Sequence, residues 1–250
     1  MSRYYELLQR ASVDGAARQD IPPATRQPAR TYEMRPVPDA HVLSHEELVK
    51  LIQTVFLMPG KESPKVVVFA GAESRSGCSS ICAGAAAALA AHVDEPVCLV
   101  DSNLRYPSLH LCLAVENGKG LSEALVHNPQ PIREYVRKPA GDGPWLLCSG
   151  LNSSPATSVM NSSRLAARIA ELRREFRYIL MDSPPVNVYS DAIALGQSAD
   201  GVVLVLSANS TRKEAARKAK ESFEMAGARL LGAVLNNRTY PVPQSIYDRL

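Results

Sequence analysis

Val66-Val67-Val68-Phe69-Ala70-Gly71-Ala72-Glu73-Ser74-Arg75-Ser76-Gly77-Cys78-Ser79-Ser80 runs straight into an alanine-rich segment. An unbroken apolar run without polar alternation reads as a strand buried on both faces. The glycine-containing loop after it, followed by a helix over 79–91, has the strand–loop–helix layout of a phosphate-binding loop. Such a loop needs converging backbone N–H groups, a lysine that reaches the β/γ-phosphates and a hydroxyl for Mg²⁺. Gly71 and Gly77 frame the loop, and Ser79, with Ser80 beside it, stands at the hydroxyl position. The lysine position holds Cys78. Losing one partner of a desolvated charge pair costs roughly 2–5 kcal/mol. Arg75 is the one cation within 71–80, and its planar fork differs from an ammonium. On the loop alone, an ordinary strand–helix turn fits equally well.

Working outward, further apolar runs fall at 97–101, 145–148, 178–182, 202–207 and 230–235. Helical patterns fall between them, at 164–176 and at 212–226 before Gly227. Ahead of the first strand, Ser44-x-x-Glu47 forms a capping box, and Leu48, Leu51, Ile52, Val55 and Phe56 follow at helical spacing, with Pro59-Gly60 as the stop. Strand–helix alternation over about 190 residues predicts an α/β fold: a doubly wound, mostly parallel sheet flanked by helices. The expected organisation is a short N-terminal helix and docking segment (1–14), a proline-rich linker (15–43), one domain (44–238) and a C-terminal tail (239–250).

Composition narrows the function. The 250 residues carry 28 basic and 25 acidic side chains and 6% aromatics. Near balance and few aromatics give nucleic-acid binding no support. No apolar run is long enough to span a bilayer. Five cysteines without a C-x-x-C pair fit reduced, cytosolic thiols, with Cys98 and Cys148 as buried small hydrophobes. Cys78 sits at a helix start, where a thiol pKa can be lowered, but with no histidine near it in sequence it does not read as a nucleophile. His41, His45 and His110 lack the companions of a zinc site. The basic stretch from Arg212 to Lys220 reads as a solvated helix face, with anionic lipid contact as the alternative.

Two strands end in aspartate: Val97-Cys-Leu-Val-Asp101 and Tyr178-Ile-Leu-Met-Asp182. Carboxylates at strand tips beside a phosphate loop are placed to hold Mg²⁺ or its waters. A lone aspartate more often caps a turn. The last strand ends in Asn236, where an amide is placed to reach a purine edge.

Together these segments resemble one family, the cytoplasmic domain of bacterial tyrosine autokinases that control exopolysaccharide and capsule synthesis, within the deviant P-loop group of division-site and plasmid-partitioning ATPases. The resemblance runs from about Ser44 to Asn237. It is carried by Asp101-Ser-Asn103-Leu-Arg105-Tyr-Pro-Ser-Leu-His110, Gly120-Leu-Ser-Glu-Ala-Leu125, Asp182-Ser-Pro-Pro185, Asp191-Ala192 and Asp200-Gly201. It implies a P-loop NTPase fold and ATP or ADP with Mg²⁺. Gly71, Arg75, Gly77, Cys78, Ser79, Ser80 and Asn236 would lie around the nucleotide. Ser79, Asp101 and Asp182 would lie around the metal, with Asp101 and Asp182 catalytic if the protein is active. It also implies a membrane polysaccharide co-polymerase or an active kinase paralogue as partner, a homo-oligomer, and a cytoplasmic place at the inner face of the plasma membrane. The departures fall on the chemistry. Cys78 replaces the lysine, Arg75 replaces a loop glycine, and Asn103 replaces a second acid that could accept a proton. Glu47-x-x-Lys50-x-x-Gln53 keeps only part of the subunit-contact pattern, and the C-terminal tyrosine cluster shrinks to Tyr240 and Tyr247. The expected function is therefore a regulatory or scaffold protein with weak or no ATP turnover. The alternatives are an active tyrosine autokinase and a partitioning-type ATPase.

Overall fold

The β1 strand, Val66–Gly71, is buried along its whole length because its two faces feed two separate cores. Val66, Val68 and Ala70 point to one side, and Val67 and Phe69 to the other, as the two-residue period of a strand requires. In this computed structural model the described residues are 43–58, 63–113, 115–126, 130–139, 142–151, 160, 163–208 and 210–238. All lie in one compact unit, Asp39–Leu250. The expected N-terminal helix, the linker, the Pro59-Gly60 stop, His41 and the C-terminal tyrosines lie outside the described residues.

Seven strands form one sheet in the order β3-β4-β2-β5-β1-β6-β7. They are β1, β2 (Val97–Asp101), β3 (Val136–Arg137), β4 (Trp145–Leu147), β5 (Tyr178–Ser183), β6 (Gly201–Ser207) and β7 (Leu230–Asn236). All neighbouring pairs are parallel except β3 with β4. The six strands read from apolar runs are all present. The two-residue β3 escapes that reading because Val136–Arg137 is too short to carry a pattern.

One face is covered by α1 (His45–Val55) and α2 (Cys78–His92). The Ser44 capping box forms: Ser44 Oγ accepts from the Glu47 amide, and Glu47 accepts from the Ser44 amide at 2.8 Å. Leu48 and Ile52 of α1 pack with Ile81, Ala85 and Leu89 of α2. The short helices α3 (Leu109–Cys112) and α4 (Leu121–Val126) and a 3-10 turn at Ile132–Tyr135 follow β2. The opposite face carries α5 (Ser163–Glu175), α6 (Asp191–Ser198) and α7 (Lys213–Met225). Their Leu165, Ile169, Leu172, Leu195, Ala219 and Phe223 fill the second core. Only Ala219 and Phe223 of α7 are fully buried, and Arg217–Glu221 and Lys220–Glu224 pair along its exposed side. The basic stretch read from sequence is therefore exposed along α7. Gly227, at φ 70°, ends the helix as its left-handed cap.

Candidate functional site

Parallel strands place their carboxyl ends along one edge of the sheet, and the sequence-predicted residues gather there. The loop 72–77 leaves β1 between β5 and β6 and turns into α2. Gly77 sits at φ 81°, a conformation open to glycine. A side chain there would also collide with the Asn236 amide, 2.2 Å from an ideal Cβ. Arg75 takes φ 63° without being glycine, at a cost of roughly 1–2 kcal/mol. Its side chain is exposed.

Asn236 is buried, and its side-chain N–H donates to the Ser76 carbonyl at 2.9 Å. The amide therefore braces the loop from the end of β7. Gly71 closes β1, with its carbonyl accepting from the Val186 amide. Ser80 lies exposed in the first turn of α2.

Asp101 and Asp182 are register partners on β2 and β5, and both are fully buried. Their surroundings differ. Asp101 accepts from the amides of Asn103, Ser108 and Leu109 and so caps α3. Burial nevertheless raises its carboxyl to about 6. Asp182 Oδ2 accepts from the Ser79 hydroxyl at 2.6 Å, while Oδ1 is buried with no hydrogen-bond partner. Burial first, and then the charge of Asp101, raise it to about 7. A hydroxyl bonded to a carboxylate that keeps one oxygen uncommitted is donor chemistry that fits Mg²⁺. Ser79 and Asp182 would hold that ion, which supplies charge neutralisation for phosphate oxygens. Among the described residues no group of three or more His, Cys, Asp or Glu side chains is placed to hold a metal ion by itself. Mg²⁺ commonly takes one or two carboxylates and completes its shell with phosphate and water.

The Cys78 thiol does not take the lowered pKa that a helix start allows. It is buried within the apolar cluster between sheet and α2. Burial, followed by the charge of Asp182, pushes its pKa well above the ordinary value. It is a neutral thiol, neither a cation nor a thiolate nucleophile. Asn103 lies in the position of the second acid and uses its side chain to cap a turn, with Oδ1 accepting from the Tyr106 amide. All five cysteines are free thiols, and Cys98 and Cys148 are buried as expected.

One feature carried no signal in local sequence. Arg105 Nε donates to Asp191 Oδ2 at 2.8 Å and Nη2 to Oδ1 at 3.3 Å, while the guanidinium lies over Tyr189. This pair ties the segment after β2 to the start of α6. Only a tertiary contact across 86 positions creates it.

No protein-family model matches the chain. A tyrosine-protein kinase of Bacillus subtilis, YwqD, is 31% identical over 144 residues, which cover 58% of this chain and 60% of that protein. A Staphylococcus aureus protein whose name reads "Putative tyrosine-protein kinase CapB" is 27% identical over 183 residues, or 73% of this chain and 79% of that protein. Among solved structures, the chimerical protein CapA2B2 superposes with a TM-score of 0.71 at 26% identity, covering 78% of this chain and 85% of its own. The septum site-determining protein MinD of Pyrococcus horikoshii, solved with Mg-ADP, shares the fold alone: TM-score 0.60, 19% identity, 74% of this chain and 76% of that one. In sequence and in fold, this P-loop NTPase-like chain resembles the bacterial tyrosine-protein kinases of capsule and exopolysaccharide synthesis, with Cys78 standing where the phosphate-loop pattern calls for a lysine.

Proposed function

We propose that this protein is a regulatory or scaffold component of exopolysaccharide or capsule synthesis that retains the kinase framework and has weak or no ATP turnover. The observation that carries the reading is the buried, neutral Cys78 at the lysine position. Phosphoryl transfer depends on positioning and on neutralising charge at the transferred group. Loop amides remain to cradle a phosphate, and Ser79 and Asp182 remain to hold Mg²⁺. Nothing in 71–80 replaces the ammonium except Arg75, which is exposed. Asn103 cannot take a proton as a carboxylate would. The altered contact pattern points the same way, because Glu47 is engaged in its own helix cap. Among the described residues no helix is long and apolar enough to cross a membrane. We take its action beside a membrane polysaccharide co-polymerase or an active paralogue to be by docking.

The test is transfer from radiolabelled Mg-ATP to the full chain. The expected result is no label on Tyr240 or Tyr247 and no phosphate release above buffer. Label on either tyrosine would restore the active-autokinase reading.

A further inference from the structure

The opposite edge of the sheet holds a second charged site. A cavity of ≈ 630 Å³ opens at the amino ends of β5, β1, β6 and β7, lined by Lys65, Arg173, Arg177, Asp200 and Arg229. Three of the four cations directly precede a strand, Lys65 before β1, Arg177 before β5 and Arg229 before β7, and the fourth, Arg173, lies in the last turn of α5. Topology alone brings them together, from positions more than 160 residues apart. The six residues of β1, at about 3.3 Å each, put this cavity roughly 20 Å from the phosphate loop.

Asp200 is the single acid of the lining, and its oxygens are saturated. Arg173 donates to both, at 2.9 and 2.7 Å, and the Lys65 and Val66 amides donate to Oδ2 at 2.7 and 2.8 Å. Asp200 thus neutralises Arg173 and fixes its fork. Lys65, Arg177 and Arg229 form no ion pair with a carboxylate among the described residues. Arg177 is held against the Tyr178 ring at 4.7 Å, and Lys65 and Arg177 are half-buried. On α7, by comparison, Arg217 and Lys220 each find a glutamate one turn away. Here Lys65, Arg177 and Arg229 converge on a hollow and stay unneutralised. Guanidinium forks match phosphate oxygens bidentately, and pre-placed forks reduce the entropy lost on binding. The volume is that of a small-molecule site.

We propose that this cavity binds a small diphosphate, with Lys65, Arg177 and Arg229 gripping its phosphoryl oxygens and Arg173 completing the wall. Inorganic pyrophosphate is the probe, titrated into the full chain at low salt and without Mg²⁺, while backbone amide resonances are followed. The expected result is saturable binding with shifts at Lys65, Val66, Arg177 and Arg229. Affinity in Arg177→Gln/Arg229→Gln should fall at least about tenfold. Should that double variant fail to fold, Arg229→Gln alone, at an exposed side chain, should still weaken binding about threefold. Shifts confined to residues 71–79, or unchanged affinity in the variants, would overturn the proposal. So would association with phosphatidylglycerol vesicles in the absence of saturable pyrophosphate binding, since the phosphates recognised would then be those of a lipid surface.

Discussion

The two ends of the same strands carry opposite electrostatics. At the carboxyl ends, two buried aspartates face a loop whose lysine position is a thiol. At the amino ends, four cations surround one acid. A nucleotide-handling sheet concentrates its positive charge at the carboxyl edge. Here four cations gather at the other edge, while the phosphate loop itself keeps Arg75. The apolar strands between the ends are indifferent to this exchange. Two cores, each built from alternate residues of β1, hold the sheet together. Site chemistry at either edge can thus erode or accumulate without loss of fold.

The contrast extends to pH. Asp182 binds its proton more tightly in the folded state, since its carboxyl rises to about 7. Its contribution is favourable at low pH and is lost as pH rises through about 7. Asp200 is the reverse. Burial alone would raise it, but Arg173 and the Lys65 and Val66 amides hold it below its ordinary value. Its contribution is present above the unfolded carboxylate range and is lost as pH falls below about 4.

The largest effect expected is at the amino edge. Asp200→Ala removes the acceptor for Arg173 and for two β1 amides, and should cost about 3 kcal/mol, discounted because a third of the side chain is exposed. Chemical denaturation at pH 7 measures it, and a loss under 1 kcal/mol would mean the amino edge is held by other contacts. At the carboxyl edge, Asp182→Asn should stabilise the ligand-free protein above pH 8 by on the order of 2 kcal/mol. It should also flatten the decline in melting temperature between pH 5 and pH 8.5. An unchanged slope would show that Asp182 is ionised in the fold at little cost. A smaller gain is expected from Arg75→Gly, about 1 kcal/mol, through relief of a left-handed backbone angle. Smallest is Lys220→Ala, which breaks an exposed pair on α7 and should change stability by less than about 0.5 kcal/mol.

What could be read from sequence follows the same division. The strands were legible because burial on both faces leaves continuous apolar runs, as at 66–70 and 178–182. Helix limits were legible where local chemistry sets them, at the Ser44 box and at Gly227. The strand-tip aspartates and Ser79 were legible because topology sends every strand tip to one edge. For the Cys78 thiol the sequence left the pKa open: a helix start can lower it, and only the surrounding core shows that burial and Asp182 raise it. The Arg105–Asp191 pair and the cation-lined cavity arise from long-range packing, and no local pattern encodes them.

Calorimetric titration of Mg-ATP into the native protein and into Cys78→Lys tests the central claim most directly. The account predicts feeble binding by the native protein and at least about 30-fold tighter binding by the lysine variant, the equivalent of roughly 2 kcal/mol for the recovered charge. Micromolar binding by the native protein, with no gain from the lysine, would contradict it.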